Sequence, residues 1–132
     1  MLVVDASCLC EVLIGSECAE AVRERLAADI DQAAPHIIDV EVLGFIRREH
    51  LRGRLDPTAA TQAVEDLHAW PGERFGHRSL LARAWELRDA VRSWDAMYVA
   101  LAEGLEATLL TTDRRLGRCS GIACRVEVPS PC

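Results

Sequence analysis

At 132 residues the chain has the size of one compact domain, and residues 1–132 leave no room for a second. Half the residues are hydrophobic, enough for a core without a structural metal, and no run approaches the roughly 18 apolar residues of a membrane span. All 15 basic residues are Arg, which excludes lysine-dependent chemistry such as Schiff-base or P-loop catalysis, and the net charge of −6 means that either nucleic acid is not the substrate or the acids are gathered where metal neutralises them.

In chain order, Leu2-Val3-Val4 is a short apolar run that suits a strand buried on both faces. Met1 leads straight into it, with no basic stretch and no small-residue cleavage site, so a soluble, cytoplasmic protein is expected. A helix starts at Asp5-Ala6-Ser7, carries Leu9, Val12 and Leu13 on one face, and breaks at Gly15-Ser16. A second follows with Ala19, Val22, Leu26 and Ala27 at helical spacing. Pro35 ends a linker, and His36-Ile37-Ile38 is expected as the second strand. Asp39 then caps a helix holding Val42, Leu43, Phe45 and Ile46 and closing at Gly53. Asp56-Pro57-Thr58 pairs a cap with Pro at the first helical position and opens a helix running to about Trp70.

Pro71-Gly72 forces a turn into a weak strand, Glu73-Arg74-Phe75. Leu80, Leu81, Ala84, Trp85 and Leu87 describe an amphipathic helix. Ser93 is expected to cap another, which passes through Asp95 and ends at Gly104. Ala107 to Thr111 is the clearest strand after the first; an Arg-rich turn and a last strand, Cys124 to Val128, complete the chain. Short apolar strands alternating with helices imply parallel βαβ units. The expected fold is α/β: a helix-rich, three-layer α/β/α sandwich around a short, mainly parallel central sheet.

The six cysteines form no Cys-x-x-Cys pair and have no His at finger spacing, so they are read as reduced thiols acting as small hydrophobes. The four histidines share no motif and are read as structural. Trp70, Trp85 and Trp94 are expected in the core or at a dimer interface.

Ligand chemistry in an open α/β sheet collects outside the carboxyl ends of the strands. Asp5 ends the first strand, Glu41 follows the second, Asp95 lies in a helix's first turn, and Asp113 stands two residues beyond Thr111. Each alone has an ordinary reading as a helix-terminal acid complementing the dipole. Together they are four carboxylates at one sheet edge with no Lys to pair them, a group that would hold raised pKa values unless cations sit among it. Hard oxygen ligands of this kind select Mg²⁺, or Mn²⁺, over zinc. Carboxylate-held Mg²⁺ points toward phosphodiester hydrolysis.

Four stretches carry a resemblance to a known family: Leu2 to Ser7, Ala34 to Val42, Ser93 to Glu103 and Leu109 to Leu116. In these the chain resembles a PIN-domain nuclease, specifically a VapC-type toxin. The resemblance spans essentially the whole sequence. It implies a metal pocket of Asp5, Glu41, Asp95 and Asp113, and endonucleolytic RNA cleavage leaving 3′-hydroxyl and 5′-phosphate ends. It also implies a homodimer and a cognate antitoxin whose C-terminal part fills the groove. Asp39 stands beside Glu41 and both could reach the site; Glu41 is favoured because Asp39 suits the cap. Ser7 and Thr112 match hydroxyl positions of the motifs, and Arg114 and Arg115 flank the last acid, where they could hold RNA phosphates.

The rival folds lack their key residues. A phosphoacceptor receiver domain needs a Lys near its last strand, and a dinucleotide-binding domain needs a Gly-rich turn after strand one. A PIN fold with a dead site, or a PIN nuclease of RNA maturation, remains as the alternative to a toxin.

Overall fold

The computed structural model describes all 132 residues. Five strands form one sheet in the order β3-β2-β1-β4-β5, with β1 Leu2–Val4, β2 Gln32–Pro35, β3 Glu73–Phe75, β4 Thr108–Leu110 and β5 Val126–Glu127. Every neighbouring pair is parallel. Six helices cover it: α1 Ala6–Ile14, α2 Ala19–Ala28, α3 Ile37–Leu51, α4 Pro57–Ala69, α5 Leu81–Glu86 and α6 Ser93–Gly104. Helix α1 packs on α2 and α3, and α3 on α4, while α5 packs on α6 and α6 lies against β1, β2 and β4. The expected α/β/α layering and parallel sheet are those observed.

β1 is the centre of the sheet, and Leu2, Val3 and Val4 are wholly buried. Burial of each such side chain stabilises the fold by roughly 1.5–3 kcal/mol. Leu109, Leu110, Tyr98 and Val99 complete the core beneath it. The stop after α1 has a backbone reason: Gly15 takes φ +64 and returns its N–H to the carbonyls of Glu11 and Val12.

The second strand corrects the sequence reading. It is Gln32–Pro35, and Ile37-Ile38 already belong to α3. Strand propensity favoured the two isoleucines, but the slot between β1 and β3 is filled by Ala33 and Ala34, both fully buried. Their small side chains give no strand signal in sequence. Pro35 is tolerated because it is the strand's last residue; the next N–H, of His36, donates to Phe75 O at 2.8 Å. With α3 starting at Ile37, Asp39 is a first-turn residue and not the cap. The Ile37 N–H instead donates to Nε2 of His77, at 3.0 Å. Ser93 likewise is the first residue of α6, with Arg92 at the cap.

The cysteine reading changes as well. Cys18 and Cys132 are joined as a disulfide, their Cα atoms 5.1 Å apart, so only Cys8, Cys10, Cys119 and Cys124 remain as thiols. Of the tryptophans, Trp70 packs against the core, while Trp85 and Trp94, 68% and 56% exposed, keep only the dimer-interface alternative. No helix is long and apolar enough to cross a membrane.

Candidate active site

The carboxyl ends of β1 and β4 are adjacent, and Asp5 and Thr111 are the residues that follow them. Asp5 N–H donates to Leu110 O at 2.9 Å, which locks the end of β1 to β4 and turns the Asp5 side chain toward the rim. Asp5 is only 7% exposed. Its Oδ2 accepts from Ser7 Oγ at 2.8 Å and from Thr111 Oγ1 at 2.7 Å. Both hydroxyls are themselves oriented by backbone, since Thr112 N–H donates to Ser7 Oγ and Asp113 N–H to Thr111 Oγ1, each at 3.1 Å. The side-chain network ends on one oxygen and leaves Oδ1 outside it.

Glu41 projects from the second turn of α3. Tyr98, in the middle of α6 and 1% exposed, donates its hydroxyl to Glu41 Oε1 at 2.9 Å. Again one carboxylate oxygen is held and Oε2 is left outside the bond. Burial raises the pKa of both Asp5 and Glu41 above the ordinary carboxylate range, against the lowering effect of these hydroxyl bonds. The acids also feel one another: Asp95 pushes up Asp5, and Asp5 and Asp95 both push up Glu41.

The outer acids are held differently. Asp95 lies in the first turn of α6 and meets Arg92 Nη2 at 3.4 Å. Asp113 takes Arg115 bidentately, Nε to Oδ1 at 3.0 Å and Nη2 to Oδ2 at 2.9 Å, and the Arg115 guanidinium pulls its carboxyl below the usual range. Both pairs line one cavity of about 220 Å³. Arg114 is exposed and Thr112 enters the network only through its backbone N–H. Asp39 turns away to Arg74, Oδ1 to Nη2 at 3.0 Å.

Sequence reasoning overlooked Thr111, Tyr98 and Arg92. Thr111 and Thr112 are adjacent and chemically alike, so only the strand's pleat distinguishes the hydroxyl that reaches Asp5. Tyr98 was legible as one helical turn beyond Asp95, but its partner on α3 was not.

The donor set suits a hard divalent ion. Asp95 acts electrostatically on both Asp5 and Glu41 and shares a cavity with Asp113, and the two inner acids each keep an oxygen free of side-chain bonds. As the side chains lie, no three His, Cys, Asp or Glu residues stand close enough together to hold a metal ion. Cys10 lies beside Asp5 and Glu41; burial first, then those carboxylates, push its thiol up to about 12, which removes thiolate as a competing ligand at neutral pH.

A parallel sheet between helix layers, with buried acids where the central strands end, defines an α/β/α domain whose chemistry collects at the carboxyl rim. Residues 2–122 match the family model described as the PIN domain. Ribonuclease VapC3 of Mycobacterium tuberculosis is 44% identical over 118 residues, covering 89% of this chain and 85% of that protein. Ribonuclease VapC1 of the same organism is 34% identical over 127 residues, covering 96% of each chain. Among solved structures, a toxin–antitoxin complex from Klebsiella pneumoniae superposes with a TM-score of 0.65 at 19% identity, covering 93% of each chain. The chain belongs to the PIN-domain family, among the VapC ribonucleases.

Proposed function

We propose that the protein is a magnesium-dependent endoribonuclease, the toxin of a toxin–antitoxin pair, with Asp5, Glu41, Asp95 and Asp113 as its catalytic and metal-holding groups. The observation that carries this reading is the clamped Asp5. A nearly buried carboxylate next to two other carboxylates destabilises a fold, and two hydroxyls spend their bonds aiming it. That outlay makes physical sense where a cation is to be bound.

Bound Mg²⁺ or Mn²⁺ supplies an acidified water and neutralises charge on the phosphate oxygens. Asp5 and Glu41 present one oxygen each from the sheet and α3; Asp95 and Asp113 complete the donor set from α6 and the β4 end. Ser7, Thr111 and Tyr98 hold the inner acids in orientation. Arg114 and Arg115 stand at the exposed side of the rim, where RNA phosphates would arrive. Water attack on the scissile phosphate leaves a 3′-hydroxyl and a 5′-phosphate.

The relatives named ribonucleases and the toxin–antitoxin complex of the same fold support RNA as substrate and an antitoxin as partner. An antitoxin Arg would satisfy the pocket's carboxylates bidentately. A homodimer is the expected assembly. Work on cellular RNA sets the protein in the cytoplasm.

Purified protein incubated with RNA and Mg²⁺ or Mn²⁺ should produce 5′-phosphorylated fragments, and a chelator should stop it. Fragmentation that continues in chelator, or in a folded Asp5→Asn variant, overturns the assignment.

A further inference from the structure

The four carboxylates fall into two pairs with different partners. Asp5 and Glu41 are held by uncharged hydroxyls, whereas Asp95 and Asp113 are held by guanidiniums. We propose that Arg92 and Arg115 compete with a divalent ion for Asp95 and Asp113, and that once displaced the guanidiniums hold RNA phosphates at the same rim. This rests on the metal-dependent nuclease reading above and adds a role for two residues, of which Arg92 stands in no motif.

Charge and geometry both support the exchange. Two guanidiniums carry the +2 of one divalent cation, so substitution of one for the other keeps the rim's charge. Arg92 approaches from the cap of α6, and Arg115 from the turn after β4. With their two acids they border a single cavity. Each arginine is felt beyond its own partner, Arg92 at Glu41 and Asp113, and Arg115 at Asp95.

The pairs are also free to come apart. The arginine side chains are 75% and 78% exposed, against 20% and 24% for their acids. Water therefore screens each pair and competes for the guanidinium, so exposed pairs of this kind exchange at little expense. The acids cannot follow an arginine outward, because their helix and turn fix them. A released guanidinium stays tethered within a side chain's length of the reacting phosphate. Its planar fork matches a phosphodiester as well as it matched the carboxylate.

The competition makes two effects of opposite sign. Arg92→Gln and Arg115→Gln should each tighten Mn²⁺, followed by electron paramagnetic resonance of the free ion, on the order of two- to fivefold. Each should also raise KM for a single-stranded RNA oligonucleotide at saturating Mn²⁺. The salt dependence of that KM should weaken too, by about 0.7 in the log–log slope for each phosphate no longer held. Arg114→Gln, the same charge change at a side chain paired with no acid, should leave Mn²⁺ affinity within twofold. If the wild-type protein binds Mn²⁺ but the two variants bind it no better, or Arg114→Gln tightens it equally, the exchange is wrong and the nuclease reading survives. If the wild-type protein binds no Mn²⁺, the nuclease reading itself falls and the exchange with it.

Discussion

Thr111 Oγ1 lies 2.7 Å from Asp5 Oδ2, a bond between residues 106 positions apart that joins the ends of the two central strands. Thr111 is wholly buried, and the same oxygen accepts the Asp113 N–H, so one hydroxyl sets the position of two acids. Thr111→Val keeps the shape and deletes both bonds. We expect stability to fall by about 1–2 kcal/mol, measured by urea unfolding, since the buried Asp5 carboxylate loses a donor and the part-buried Asp113 N–H its acceptor. Metal affinity and kcat/KM should fall about 10- to 100-fold, the usual consequence of losing a group that orients a ligand. Thr112→Val should change neither, because the Thr112 side chain takes no part in the network. Equal effects of the two substitutions would refute the assignment of the orienting role to Thr111.

The two hydroxyls on Asp5 share one oxygen, so an amide can replace the carboxylate without disturbing them. Asp5→Asn should place its carbonyl oxygen on Ser7 and Thr111 and abolish RNA cleavage. It should also stabilise the protein. Burial raises the Asp5 pKa, so wild-type Asp5 contributes its full stability below the ordinary carboxylate range and loses it as pH climbs through the raised value. The Asn variant never makes that loss. Its melting temperature at pH 7 should exceed wild type by about 2–5 °C in the presence of a chelator, and the gain should vanish near pH 3. A variant less stable than wild type at pH 7 would show that the ionised Asp5 is not a strained group.

Much of this site was legible because the chemistry sits at strand ends. The run Leu2-Val3-Val4 announces a buried strand, and the residue after it must lie at the rim, which puts Asp5 there on sequence alone. Asp113 follows from β4 by the same logic. The second strand was hidden for the converse reason: Ala33 and Ala34 are small because β1, β3 and two helix layers crowd them, and tertiary packing leaves no local signature. What sequence could not convey was partnership. The Thr111 and Tyr98 hydroxyls reach acids more than 50 residues away, and the choice of Arg92 and Arg115 as counter-ions depends on how α6 and the β4 turn converge.

Tyr98 gives a test in pH. Its hydroxyl is the largest influence opposing the burial-driven rise of the Glu41 pKa. Tyr98→Phe removes that opposition, so the Glu41 pKa rises further and its carboxylate is lost at a higher pH. Because the metal takes the ionised form, the acid limb of kcat/KM and of Mn²⁺ affinity should move to higher pH together. The stability deficit of the variant should be about 1 kcal/mol at pH 7 and shrink as Glu41 becomes protonated. An activity loss with an unmoved acid limb would make Tyr98 a packing residue only.

Asp39 and Glu41 are two residues apart, and sequence alone let either serve the metal. The structure separates them by partner. Asp39 Oδ1 meets Arg74 Nη2 at 3.0 Å, and that guanidinium also donates to the carbonyls of Leu67, Trp70 and Gly72 while stacking 4.8 Å from the Trp70 ring. Arg74 thereby ties the end of α4 to β3 and to α3, and Asp39 supplies its counter-charge. The turn is tight enough that a Cβ on Gly72 would run into the Trp70 indole. Asp39→Asn should therefore lower stability by about 0.5–1 kcal/mol, the range of a half-exposed ion pair, while Mn²⁺ affinity and kcat/KM stay within twofold of wild type. Glu41→Gln should do the reverse, with metal affinity down at least tenfold and stability held or raised, since the group whose pKa burial raises is neutralised. Calorimetric titration with Mn²⁺ and urea unfolding on both variants decide it. Loss of metal binding in Asp39→Asn would mean that the carboxylate leaves Arg74 for the rim, and that the ligand set has a fifth member.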